Sequence, residues 1–146
     1  MYRSLIKDLV EWKNKPNRKP LILWGARQVG KTYLMQQFGQ EYFENTVYIS
    51  FYHNSKVTAI FEEDYDVKRI IETLEILEHT KITKQKTLII FDEVQNAPVV
   101  VESLKYFCED APEYAVVAAG ELLRRHSTVK LPPKSATKQL LFSSER

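Results

Sequence analysis

The sequence predicts an α/β domain with a mainly parallel sheet in a three-layer arrangement, and three observations carry that prediction. Short apolar runs rich in β-branched residues alternate with stretches of helical apolar spacing along most of the chain. Between one such run and the next helical stretch, Gly25 to Thr32 read G-A-R-Q-V-G-K-T. A later apolar run, Thr87 to Phe91, closes on the acidic pair Asp92-Glu93.

Taken in order, Tyr2, Leu5, Ile6, Leu9 and Val10 share one helical face, which predicts a helix over residues 2–13. Residues 13–19 form a polar, basic connector that contains Pro16 and is ended by Pro20. It reads as a solvated turn carrying Lys13, Lys15, Arg18 and Lys19, with a phosphate or nucleic-acid contact as the alternative. The first strand is expected over 20–24, a helix over about 31–41, and a second strand over 46–51. Residues 55–66 read as irregular or as one short turn. Val67, Ile70, Ile71, Leu74 and Leu77 mark a further helix, and 80–86 a basic loop. The nearly continuous apolar run at 87–91 suits a strand buried on both faces. A helix starts at Asn96-Ala-Pro98 and runs to about residue 109, burying Val100, Leu104 and Phe107. A fourth strand over 114–119 ends in Gly120. Ligands of such sheets bind beyond the carboxyl ends of the strands, where three of the four glycines fall, Gly25, Gly30 and Gly120.

The octapeptide fits the phosphate-binding pattern G-x-x-x-x-G-K-[ST], and its strand-before, helix-after context gives it meaning. Backbone N–H groups of Gly25, Ala26, Arg27, Gln28, Val29 and Gly30 can converge on phosphate oxygens, with the helix dipole adding positive charge. Lys31 can reach the β- and γ-phosphates, and the Thr32 hydroxyl can ligate Mg²⁺. Asp92 would hold the same metal from the end of its strand, and Glu93 would polarise the attacking water. The expected cofactors are a nucleoside triphosphate, ATP by default, and Mg²⁺, with Lys31 and Glu93 as the catalytic groups if the site turns over. The fold is a P-loop NTPase type.

At 146 residues the length fits one domain, and 44% apolar with 27% charged residues is ordinary for a globular chain. No apolar run reaches the length of a membrane span, and the N-terminus lacks the apolar core of a signal peptide. A cytoplasmic location without membrane contact is the expectation. The single cysteine, Cys108, excludes an intramolecular disulfide and a Cys-rich zinc site. Net charge of +2 argues neither for nor against nucleic acid. His53, His79 and His126 have no metal-site spacing. Tyr48, Phe51 and Tyr52 read as packing, as does Trp24, whose alternative is contact with the base. Gln95 is a turn residue or a hydrogen-bonding partner near the water or the metal.

The segments L-I-L-W-G-A-R-Q-V-G-K-T, L-I-I-F-D-E-V-Q-N-A-P and A-V-V-A-A-G-E-L-L together resemble the ATPase domain of a bacterial and archaeal group of predicted ATP-binding proteins in the AAA+ superfamily. The resemblance covers about residues 1–123, a partial core. It implies that strand 114–119 is inserted between the P-loop strand and the Asp92 strand, and that Arg27 contacts phosphates or a neighbour. It also implies a polar sensor after strand 114–119, usually G-S, where this chain has Gly120-Glu121. A carboxylate there would repel the γ-phosphate unless it points away or is screened, so the alternative to an ATPase is a non-catalytic nucleotide-binding fragment or interaction module.

Members of that group continue into a fifth strand, a helical lid and a further domain, and this chain reads as incomplete at the C-terminal end. Residues 124–146 look like a basic, poorly ordered tail, with Arg124, Arg125, Lys130, Lys134 and Lys138. Leu140 to Phe142 supplies a remnant of the fifth strand, or the tail is disordered and leaves the P-loop strand as an exposed edge. A protein or DNA partner is unspecified, and oligomers are expected only with the missing regions supplied. A small-molecule kinase fits the adjacent Asp-Glu pair less well, and guanine specificity is disfavoured because no N-K-x-D or T-K-x-D follows the acidic strand.

Overall fold

The computed structural model describes residues 2–25, 29–121 and 135–142. Helix α1 (Tyr2–Asn14) leads into β1 (Leu21–Gly25), α2 (Val29–Tyr42) and β2 (Asn45–Ser50). Two helices follow, α3 (Ser55–Glu63) and α4 (Val67–Glu78), then β3 (Thr87–Asp92), α5 (Pro98–Asp110), β4 (Ala115–Glu121) and β5 (Lys138–Phe142). All five strands are parallel, in the order β2-β3-β4-β1-β5. Strand β4 lies between β1 and β3, as the family resemblance implies.

Strand alternation builds the three layers. Ile22, Trp24, Ile89 and Phe91 point into a cluster closed by Val57, Phe61, Ile70, Leu74, Leu104 and Phe107 from α3, α4 and α5. Leu21, Leu23, Leu88 and Ile90 point the other way, onto Leu5, Leu9 and Trp12 of α1 and Leu34, Met35 and Phe38 of α2. Strands β1 and β3 are buried at every position, which is why they read as continuous apolar runs in the sequence.

Two expectations are corrected, and one open alternative is resolved. Residues 55–63 form helix α3, not an irregular segment. Asn54 caps it by accepting from the Val57 backbone N–H at 3.3 Å, and Val57 and Phe61, one turn apart, are its buried residues. Phe61 stands edge-on to both Phe51 and Phe91, at ring-centroid distances of 5.6 and 5.4 Å. Partly buried Ile60 packs against the same cluster, and a stripe of three apolar residues within a single turn is too short to show as periodicity.

The second correction is Arg18, which is buried and not part of a solvated turn. Its guanidinium donates to the Lys13 and Glu113 carbonyls at 3.0 and 3.1 Å and to Gln85 Oε1 at 3.2 Å, over the ring of Trp12. It ties the connector to the two loops that enter β3 and β4.

The open alternative concerns the C-terminal stretch, which takes the fifth-strand reading. Residues 138–142 pair in parallel with β1, so the core extends beyond residue 123 and β1 has neighbours on both sides. The Lys138 N–H donates to the Pro20 carbonyl at 2.9 Å, and Trp24 Nε1 donates to Gln139 Oε1 at 3.1 Å. The Arg124, Arg125, Lys130 and Lys134 positions lie outside the described residues. Among the described residues no helix is long and apolar enough to cross a membrane.

Candidate functional site

The carboxyl ends of β1, β3 and β4 open on one edge of the sheet, and the sequence motifs meet there. Gly25 ends β1, and Gly30, Lys31 and Thr32 lie in the first turn of α2. Val29 starts that helix, whereas Ala26, Arg27 and Gln28 lie outside the described residues. The Thr32 hydroxyl donates to Asp92 Oδ2 at 2.7 Å. Two motifs sixty residues apart in sequence thus share a hydrogen bond.

Asp92 is buried with 2% of its surface exposed, and such a carboxylate needs its lone pairs occupied. Oδ2 also accepts from the Tyr48 hydroxyl at 2.6 Å, and Oδ1 accepts from the Glu93 backbone N–H at 2.9 Å. Tyr48 reaches it from β2, which lies against β3 in a register that pairs Tyr48 with Ile90. Burial, and then the hydrogen bond to Asp92, push the Tyr48 phenol well above its ordinary value, so it stays a neutral donor. The Thr32 hydroxyl and the Asp92 carboxylate are adjacent hard oxygen donors, and that pairing fits Mg²⁺, which takes few ligands from the protein. Among the described residues no group of three His, Cys, Asp or Glu side chains could hold a metal. His53 and His79 occupy left-handed turn positions, and His126 lies outside the described residues.

Lys31 is buried, and its ammonium donates to the Gly120 carbonyl at 2.9 Å. Burial lowers its pKa, an effect that the nearby Asp92, Glu93 and Glu121 charges oppose. Glu93 takes the left-handed conformation, φ 60° and ψ 40°, before the 3-10 turn Val94–Asn96. Such a conformation in a non-glycine residue is uncommon and re-aims the side chain relative to the strand. Its carboxylate accepts from Gln95 Nε2 at 2.8 Å, while Gln95 Oε1 accepts from the Glu121 backbone N–H at 2.9 Å. The glycine at 120 makes room for this contact. A Cβ there would sit 2.9 Å from the Trp24 ring, 3.0 Å from Val94 and 3.2 Å from Gln95 Oε1.

Sequence reasoning placed Lys31, Thr32, Asp92 and Glu93 on one edge, and the structure brings them together. It missed Tyr48, assigned to packing, because nothing in the local sequence states that β2 neighbours β3. Its only signal is a polar-tipped aromatic on the strand face opposite Val47 and Ile49. Trp24 packs in the core, and Cys108 is half-buried on α5 with its thiol pushed up by burial. A cavity of about 610 Å³ opens at the opposite, amino edge of the sheet, between Trp12, Lys15, Lys19 and Thr137, and neither motif lines it.

A family model described as an AAA domain matches residues 17–141 of the chain. No curated protein matches. The fold is similar to that of AMPPCP-bound DnaA from Aquifex aeolicus, at 14% identity and a TM-score of 0.54 over 97% of this chain and 45% of that one. It is likewise similar to PCH-2 from C. elegans, at 14% identity and a TM-score of 0.53, covering 96% of this chain and 42% of that one. A chain of the HORMA:CdnC:Trip13 complex from E. coli MS115-1 aligns at 15% identity and a TM-score of 0.53, with 99% and 62% covered. The chain thus spans less than two thirds of the length of each of these structures.

Proposed function

The chain belongs to the AAA domain family, which supports nucleotide binding at the level of the family, and from that premise we propose that it binds Mg²⁺-ATP at the carboxyl edge of β1 and β3 and hydrolyses the β–γ bond. The observation that carries this reading is the Thr32–Asp92 hydrogen bond, which joins the two acid-and-phosphate motifs into one site. The N-terminus of α2 offers its first-turn N–H groups and dipole to the phosphates. Lys31 supplies a cation whose burial makes it strongly dependent on an anionic partner. Bound Mg²⁺ would supply a hard positive charge that neutralises the β- and γ-phosphate oxygens, held by Thr32 and Asp92. Tyr48 holds the Asp92 carboxylate by donating to Oδ2, the oxygen that also accepts from Thr32. Glu93 orients the attacking water and accepts its proton.

A second reading, nucleotide binding without turnover, is favoured by Glu121. It stands where the family resemblance implies a small polar sensor, and its charge is felt at Lys31. The two readings share the site and differ in chemistry. Lys31→Ala abolishes binding of a fluorescent ATP analogue, and equal binding by wild type and variant overturns both. Glu93→Gln keeps analogue binding and stops phosphate release. Tight binding with no phosphate release from the wild type selects the second reading.

A further inference from the structure

One peptide group at the end of β4 is gripped from both sides. Lys31 Nζ donates to the Gly120 carbonyl, and the Glu121 N–H donates to Gln95 Oε1. That carbonyl and that N–H belong to the same planar unit, so rotation about its flanking bonds moves both at once. The Gln95 amide admits one orientation only: its oxygen must face the N–H of Glu121 and its nitrogen the carboxylate of Glu93. The four groups form a continuous line, from the Lys31 ammonium through the 120–121 peptide and the Gln95 amide to the Glu93 carboxylate.

We propose that Gln95 is a positioning residue that links Glu93 to Lys31 through the Gly120–Glu121 peptide, so that an anion drawing on Lys31 is felt at the carboxylate that handles water. This deepens the ATP reading and rests on it. The link uses the main chain of residue 121, so it is indifferent to the glutamate side chain there. Glycine at 120 is required because a Cβ would press on the Gln95 oxygen and the Trp24 ring. The left-handed turn at Glu93 brings its carboxylate back to the amide two residues on.

The test uses three variants and four readouts. Gln95→Leu removes both bonds, and Gln95→Glu keeps an acceptor for the Glu121 N–H but offers Glu93 no donor. Amide hydrogen exchange of Glu121, measured without nucleotide, is expected to quicken roughly tenfold in Gln95→Leu and to stay near wild type in Gln95→Glu. Phosphate release should fall roughly tenfold or more in both, with affinity for the ATP analogue held within about twofold. Saturation with the analogue should shift the Glu121 amide resonance in the wild type. Lys31→Ala given the same analogue concentration should show no such shift. Equal Glu121 exchange in wild type and Gln95→Leu overturns the proposal. So does wild-type turnover by Gln95→Leu, or an unchanged Glu121 resonance in analogue-saturated wild type. If the wild type binds no analogue, the ATP reading fails by itself, and the exchange comparison still decides the Gln95 link.

Discussion

Two cations are buried at opposite edges of the same sheet, and they have opposite surroundings. Arg18, at the amino edge, is held by the carbonyls of Lys13 and Glu113, the side-chain oxygen of Gln85 and the face of Trp12. Lys31, at the carboxyl edge, donates to the carbonyl of Gly120 and lies in the field of Asp92, Glu93 and Glu121. Burial lowers the pKa of both. Arginine spreads its charge over a rigid fork that neutral carbonyls can satisfy, which suits a fastener. Lysine is a point charge on a flexible stem and can move from one acceptor to another. The amino edge therefore locks loops together, while the carboxyl edge concentrates charged groups of both signs in one place.

Substitutions at the two cations should separate stability from binding. Arg18→Ala is expected to cost about 3 kcal/mol, from lost packing on Trp12 and carbonyls left without a donor. Urea denaturation reads this as a lower midpoint, with affinity for the ATP analogue unchanged under folding conditions. Lys31→Ala should do the reverse, losing analogue binding with little change in midpoint. Similar stability losses in both would erase the distinction between the edges.

A smaller effect sharpens the carboxyl edge alone. Tyr48→Phe removes one donor from a buried carboxylate and should cost about 1–2 kcal/mol. It should also weaken the Mg²⁺-dependent part of analogue binding several-fold, because Asp92 then keeps only two of the three donors that hold it. Titration of the analogue with and without Mg²⁺ checks this, and an unchanged Mg²⁺ dependence would return Tyr48 to simple packing.

The smallest effect is in the pH dependence of stability. The folded pKa of Lys31 lies below its ordinary value of 10.5, so between the two values the unfolded chain binds more protons than the folded one. The contribution of this lysine to stability therefore rises as pH climbs through that window. Lys31→Met removes this rising contribution, so the variant should gain less stability, or lose more, than wild type as pH climbs toward 10.5. A shallower fall in the variant than in wild type would mean that the carboxylates at this edge outweigh burial.

The sequence by itself determined the fold class and the chemical groups of the site. Continuous apolar runs report strands buried on both faces, and the octapeptide at 25–32 and the Asp92-Glu93 pair each announce themselves through local spacing. Helix α3 escaped because its apolar stripe, Val57, Ile60 and Phe61, spans a single turn, and β5 was left undecided because its apolar content is three residues in a polar stretch. Tertiary structure alone decided what neighbours what. Tyr48 becomes an Asp92 partner because β2 lies beside β3, Arg18 becomes a fastener because three separate loops converge on it, and Gln95 meets the end of β4 across the sheet edge. Local sequence encodes periodicity and residue chemistry, whereas these contacts join segments dozens of residues apart, whose adjacency is set by strand order and by burial of the whole core at once.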